Sequence, residues 1–216
     1  MTAEAALFFD LDGTLVQLDR PYEAVTAATL RDHLGTAPDD LVRTYSEAFF
    51  GAFESFDPDP YRAGMAAAVD AGSLDADPSV LREAYVDAEV AASTPADGAR
   101  EALDAFDGPD SRLGVLTNGV TAVQRRKLEA SGLLDRFDAY LPSYEFEAHK
   151  PDPAIFEAAR ERLAAEEYVY VGDSLEHDVR PAREAGFLAV HVDSGSERAT
   201  VTVDGLDTLA GLGRLG

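Results

Sequence analysis

Apolar positions in this chain fall into two rhythms. Short apolar runs at residues 5–9, 113–116, 168–171 and 188–192, with a weaker one at 139–141, have the length of buried strands. Between the later runs lie helical patterns at 96–106, 120–130, 153–164 and 175–185, two of them stopped by Gly132 and Gly186. Strand alternating with helix predicts an α/β fold with a parallel sheet and right-handed crossovers. Residues 16–93 break this rhythm. Helical patterns cover 22–34 (ended by Gly35), 39–53 (followed by Asp57-Pro58-Asp59-Pro60), 61–71 (ended by Gly72) and 78–92, with Asp77 as a candidate cap. No convincing strand pattern occurs among them. The expected organisation is therefore an α/β core of residues 1–15 and 94–216, interrupted after its first strand by an all-helical insertion, residues 16–93, placed as a cap over the strand ends.

Polar residues interrupt the pattern where the strands end. The first strand runs into Asp10-Leu11-Asp12-Gly13-Thr14. Two carboxylates spaced i, i+2 point to the same side of an extended segment. One can act as nucleophile and its neighbour as general acid/base. The carboxyl ends of parallel strands are where open α/β sheets bind ligands. The strand at 113–116 ends in Thr117-Asn118-Gly119, which reads as a phosphate cradle at the entry to a helix or as plain turn chemistry. Lys150 precedes Pro151-Asp152-Pro153 and a helix, where a lysine opposes the macrodipole. Its charge suits a phosphate or a nucleophilic carboxylate. The strand at 168–171 ends in Gly172-Asp173-Ser174, with Asp178 five residues beyond Asp173. Carboxylates converging from two strands suit Mg²⁺, which takes few protein oxygens. Lys127 follows Gln124-Arg125-Arg126 on an amphipathic helix and reads as part of a solvated face.

Composition narrows the partners. The net charge is −23, from 41 acids against 18 bases, so the surface repels nucleic acid and anionic membranes. Only two of those bases are lysine. An acid excess with so few lysines resembles the proteins of salt-in halophiles, whose self-repulsion is screened by concentrated salt. There are no cysteines, which excludes disulfides, thiolate metal sites and a cysteine nucleophile. No run is long enough to span a bilayer, and the N-terminus lacks the basic start of a secretion signal. A cytoplasmic location is expected.

Taken in order, these residues closely resemble the four motifs of the haloacid dehalogenase-like hydrolase superfamily. The resemblance covers the whole chain and implies a Rossmann-like core with a helical cap inserted after the first strand. It implies that Asp10 is the nucleophile that forms an aspartyl-phosphate. Asp12 would protonate the leaving alcohol, help to activate water and offer its backbone carbonyl to Mg²⁺. Thr117, Asn118 and Lys150 would hold the phosphoryl group. Asp10 and Asp173 would ligate Mg²⁺, and Asp178 would ligate through water or orient the site. The superfamily's true dehalogenases lack the second aspartate and need no Mg²⁺, so Asp12 implies a phosphatase acting on a small phosphorylated metabolite. A phosphomutase on a sugar phosphate shares the machinery, and a homologue without turnover is the non-enzymatic alternative. His149 and His177 flank motif residues and receive no role. Arg20, Tyr22, Phe49, Phe50 and Phe53 are the residues of the helical insertion that could contact a leaving group, although an aromatic run on a helix is more often core.

Overall fold

A computed structural model describes residues 3–192, 201–203 and 205–208. The remainder of the expected core, 1–2, 193–200, 204 and 209–216, lies outside the described residues. The chain begins with β1 (Ala3–Phe9) and β2 (Val16–Leu18). It continues through four helices, α1 (Tyr22–Leu34), α2 (Asp39–Glu54), α3 (Pro60–Gly72) and α4 (Pro78–Ala92). Then follow β3 (Ser93–Pro95), α5 (Ala99–Phe106), β4 (Ser111–Thr117), α6 (Thr121–Ser131) and β5 (Ala139–Pro142). The last described elements are α7 (Ser143–Phe146), α8 (Pro153–Arg162), β6 (Ala165–Gly172), α9 (Arg180–Glu184), β7 (Leu188–Val192) and β8 (Val201–Val203). The chain divides into one compact unit of 1–17 with 94–216, and a second of 18–93.

The first unit is built on a six-stranded sheet in the order β5-β4-β1-β6-β7-β8, with every pair parallel. This is the α/β, Rossmann-like core. The chain steps from β1 to β4 and β5 on one side, then returns to the other side of β1 for β6. That reversal puts the topological switch at β1 and its two neighbours, where a crevice opens beyond the carboxyl ends of the strands. The apolar content of β1 explains its central place. Leu7 and Phe9 join one buried cluster with Val115 and Val171, while Ala6 and Phe8 join a second with Leu116 and Tyr170. Alternation through a central strand buries both faces, so residues 5–9 carry no polar side chain before Asp10.

The second unit holds α1–α4 and its own aromatic core. Tyr45, Tyr61 and Tyr85 are buried, with ring centroids 5.1 Å apart for Tyr45 and Tyr85 and 5.7 Å for Tyr61 and Tyr85. Phe49 sits 4.9 Å from Tyr61 and stacks on Phe53 at 5.7 Å. Tyr22 and Phe50 are instead exposed, and Arg20 is paired in solvent with Asp19.

Three departures from the sequence pattern have physical reasons. β2 and β3 are three residues each and form a two-stranded sheet of their own, too short to leave a periodic signal. The helix expected at 175–185 opens instead with a wide π-type turn, Leu175–Val179, in which Val179 N–H reaches back to Ser174 O. The strand β8, also only three residues long, likewise leaves no periodic signal in the sequence. None of the described helices is long and apolar enough to cross a membrane.

Candidate active site

The three central strands deliver the polar residues. Asp10 follows β1 directly, and its N–H donates to Val171 O at 2.9 Å. Gly13 then takes φ +88°, a left-handed turn that an L side chain resists. A Cβ there would also lie 2.5 Å from Asp173 Oδ2, so glycine is what allows the β1 loop and the end of β6 to meet. Thr14 reaches across the same gap and donates to Asp173 Oδ1 at 3.2 Å. Asp10, Asp12, Thr117, Asn118, Lys150, Asp173 and Asp178 line one cavity of about 210 Å³, completed by Ser174 and His177. All seven residues expected at the site are therefore together.

Lys150 is the hub. The residue is 3% exposed, and its ammonium donates to Asp10 Oδ1 at 2.7 Å, to Asp178 Oδ1 at 2.6 Å and to the Tyr170 hydroxyl at 2.7 Å. Its backbone is fixed as well. Asn118 Nδ2 donates to Lys150 O at 2.9 Å, and Lys150 N–H returns to Asn118 Oδ1 at 2.8 Å. Asn118 thus spends its side chain on positioning Lys150. Asp178 is held on both oxygens, because its Oδ1 also lies 3.0 Å from the Tyr170 hydroxyl and its Oδ2 accepts from Ser174 N–H at 3.0 Å. The π-type turn is what brings Asp178 there. His177 donates its backbone N–H to the Ser174 cap at 3.1 Å, and its ring lies 3.3 Å from Lys150 O. His149 contacts Ser143 Oγ at 2.8 Å, and Ser143 in turn accepts from Gly119 N–H.

The electrostatics follow from burial. Burial pushes Asp10 up to about 8, against the pull of Lys150 and helped by Asp178 and Asp173. Lys150 is raised despite burial, because Asp10 and Asp178 both favour its charge. Asp173, though on the solvent side, is also pushed up, by the crowding that strips water from it and then by Asp178. Asp10, Asp173 and Asp178 each offer an oxygen within 4.8 Å of the others. These three acids share one ammonium, so once they ionise the cluster is short of positive charge. Hard oxygens at such spacing fit Mg²⁺. Asp178 already meets three protein donors, so Asp10 and Asp173 are the more open pair for an ion, with Asp178 beside them.

One sequence expectation is overturned. Lys127 is not on a solvated face: it is 1% exposed and donates to Asp12 Oδ1 at 2.8 Å. On α6, Val123, Gln124, Lys127, Leu128 and Ser131 form the buried side, and Arg125 points outward to pair with Glu129. The neighbouring arginines disguised a position whose helical period is that of the core. Tyr170 and Gln124 were also missed, and Thr14, though part of the first motif, was given no role. A tyrosine in a strand and a glutamine in a helix carry no signal of their own.

The family model for haloacid dehalogenase-like hydrolases matches residues 5–186. Phosphoglycolate phosphatase of Cereibacter sphaeroides is 30% identical over 204 residues, covering 89% of this chain and 87% of that protein. Pyrimidine 5'-nucleotidase YjjG of Escherichia coli is 35% identical over 116 residues, 52% of this chain, so the match spans about half (51%) of that relative's length. A solved 2-haloacid dehalogenase from Pseudomonas syringae has a TM-score of 0.74, covering 99% of this chain and 100% of that one at 23% identity, a likeness of fold.

Proposed function

We propose that this chain, which belongs to the haloacid dehalogenase-like hydrolases, is a phosphoric monoester hydrolase that acts on a small phosphorylated metabolite. The observation that carries the reading is the second carboxylate. Asp12 lines the cavity beside Asp10 and is held there from α6. A halide leaves carbon without a proton, so a dehalogenase has no use for an acid at this place. An alkoxide leaving phosphorus needs one. The relatives named for phosphoglycolate and pyrimidine nucleotides support a small substrate.

In the proposed reaction a carboxylate oxygen of Asp10 forms a bond to phosphorus as the bond to the ester oxygen breaks. Asp12 gives its proton to the departing oxygen. Water then attacks the aspartyl-phosphate, Asp12 takes a proton from it, and inorganic phosphate leaves with Asp10 restored. Thr117 suits a phosphoryl oxygen because Gln124 already donates to its Oγ1 at 2.9 Å, which leaves the hydroxyl hydrogen only a 3.5 Å contact to Asn118 O. Lys150 would balance charge on Asp10 and on the phosphoryl group, and Asn118 would keep Lys150 in place while offering its own backbone N–H. Mg²⁺, held by Asp10, Asp173 and the Asp12 carbonyl with Asp178 behind them, would supply the positive charge that the phosphoryl oxygens require. The helical unit would act as the cap that selects the leaving group.

Metal removal tests the first part. Exhaustive EDTA treatment should abolish phosphate release and added Mg²⁺ should restore it, and full activity after EDTA would remove the ion from the reading. The pH dependence has a definite sign. In the metal-free protein Asp10 holds its proton up to about 8. Binding must expel that proton, so Mg²⁺ affinity should rise as pH approaches 8, by up to about tenfold per pH unit. Calorimetry in buffers of different ionisation enthalpy reads the released proton directly.

We also propose, on composition alone, that the protein works in a salt-rich cytoplasm. Both lysines are buried, so the surface carries no lysine at all against a net charge of −23. Folding should weaken in dilute buffer and recover toward 1 M KCl, where the Debye length is roughly 3 Å. A melting temperature unchanged across that range would contradict it.

A further inference from the structure

Asp12 is held by α6 through contacts that the proposed reaction steps do not themselves require. Oδ1 accepts from Lys127 Nζ at 2.8 Å and Oδ2 accepts from Gln124 Nε2 at 2.6 Å. The two donors are three residues apart and so share one side of the helix. Gln124 is seated in turn by Gly119, where a Cβ would lie 2.4 Å from Gln124 Cγ. Any side chain at 119 would push the amide off Asp12.

Burying an ammonium is costly, and a leucine or methionine would fill the position of Lys127 without that cost. The chain contains 16 arginines and two lysines. Both lysines are buried, and each contacts one aspartate of the pair that follows β1: Lys150 meets Asp10, and Lys127 meets Asp12. Lysine survives here only where a compact ammonium meets a carboxylate at the cavity. An ionised carboxylate has about four lone-pair sites. Lys127 and Gln124 take one on each oxygen of a side chain that is 25% exposed. They fix its rotation while leaving acceptor capacity on both oxygens.

We propose that Lys127 and Gln124 are positioning residues for Asp12. They hold its carboxylate in the one orientation from which it serves both the departing oxygen and the attacking water. The role rests on the phosphatase reading above. Displacement of a reacting group by about 1 Å can lower a rate by roughly 100-fold.

The test compares two esters in Lys127→Met, a neutral side chain of similar length. With an alkyl phosphate, single-turnover phosphorylation of the enzyme should slow by about 10- to 100-fold while KM stays within about twofold. With 4-nitrophenyl phosphate, whose leaving group needs no proton, the first step should keep its wild-type rate. Turnover should then stall, giving a burst of one equivalent. A crystal structure of the variant should show the Asp12 carboxylate turned from its wild-type orientation. Gln124→Leu serves the same two measurements if Lys127→Met does not fold. Equal slowing with both esters, or an Asp12 that has not moved, overturns the proposal. If the wild type hydrolyses no ester, the phosphatase reading fails, and the orientation of Asp12 in the variant still decides whether Lys127 holds it.

Discussion

Asp10→Asn is expected to abolish turnover with every phosphate ester, activated or not. The amide keeps the shape of the carboxylate but has no lone pair able to form a stable acyl-phosphate. No other group is placed to substitute, so the loss should reach about five orders of magnitude or more, as when other covalent nucleophiles are removed. The same variant should be more stable than the wild type without metal, and the pH dependence distinguishes this from a packing effect. Asp10 is raised from 3.8 to about 8 in the folded chain. The folded state therefore binds the proton more tightly than the unfolded state does. The stability that this proton contributes is complete below pH 3.8 and is lost as pH rises through 8. Asparagine cannot suffer that loss. The difference in melting temperature between variant and wild type should grow from pH 6 to pH 9 in EDTA. A variant that retains even one hundredth of the wild-type rate would move the nucleophile elsewhere.

The sequence made some of this site legible and hid the rest for identifiable reasons. Asp10, Asp12, Thr117, Asn118 and Asp173 stand out because the later part of each central strand (5–9, 113–116 and 168–171) carries no charged residue, so the polar residues at its end are conspicuous. Lys150 was visible as a lysine opposing a helix dipole. Asp178 was visible by its place after Asp173, but the π-type turn that aims it at Lys150 has no sequence marker. Lys127 is the instructive failure. Reading outward from Arg125 and Arg126 gives a charged face. Reading i, i+4 from Val123, with Leu128 alongside, places Lys127 on the buried one. The scarcity of lysine, used to single out Lys150, applied equally to Lys127. The part of the network made by Gln124, Gly119 and Tyr170 depends on distances across three strands and a helix, and no spacing along the chain encodes it.

Lys150→Met should damage stability and activity together, and the two losses should respond differently to Mg²⁺. In the wild type one ammonium contacts Asp10 and Asp178, with Asp173 close by. Removing it strands these acids without their buried cation, a change that typically destabilises by about 3–5 kcal/mol. For a chain of this size that corresponds to a fall in melting temperature of roughly 6–20 °C. The loss should shrink toward low pH, because Asp10, already raised to about 8, moves higher still and is neutral there. Added Mg²⁺ brings positive charge back to the same carboxylates, so it should recover much of the melting temperature. Activity should not follow. The phosphoryl group still lacks the hydrogen bonds and fixed charge of the ammonium, worth on the order of 10²–10³ in rate at comparable sites. Lys127→Met differs in kind, since Asp12 is partly solvated and its stability loss is screened. Thermal melts and kcat in molar KCl, with and without Mg²⁺, separate the cases. If Mg²⁺ restored both the stability and the rate of Lys150→Met, the ammonium would be a structural counter-ion for Asp10 and Asp178 and would have no part in holding the phosphoryl group.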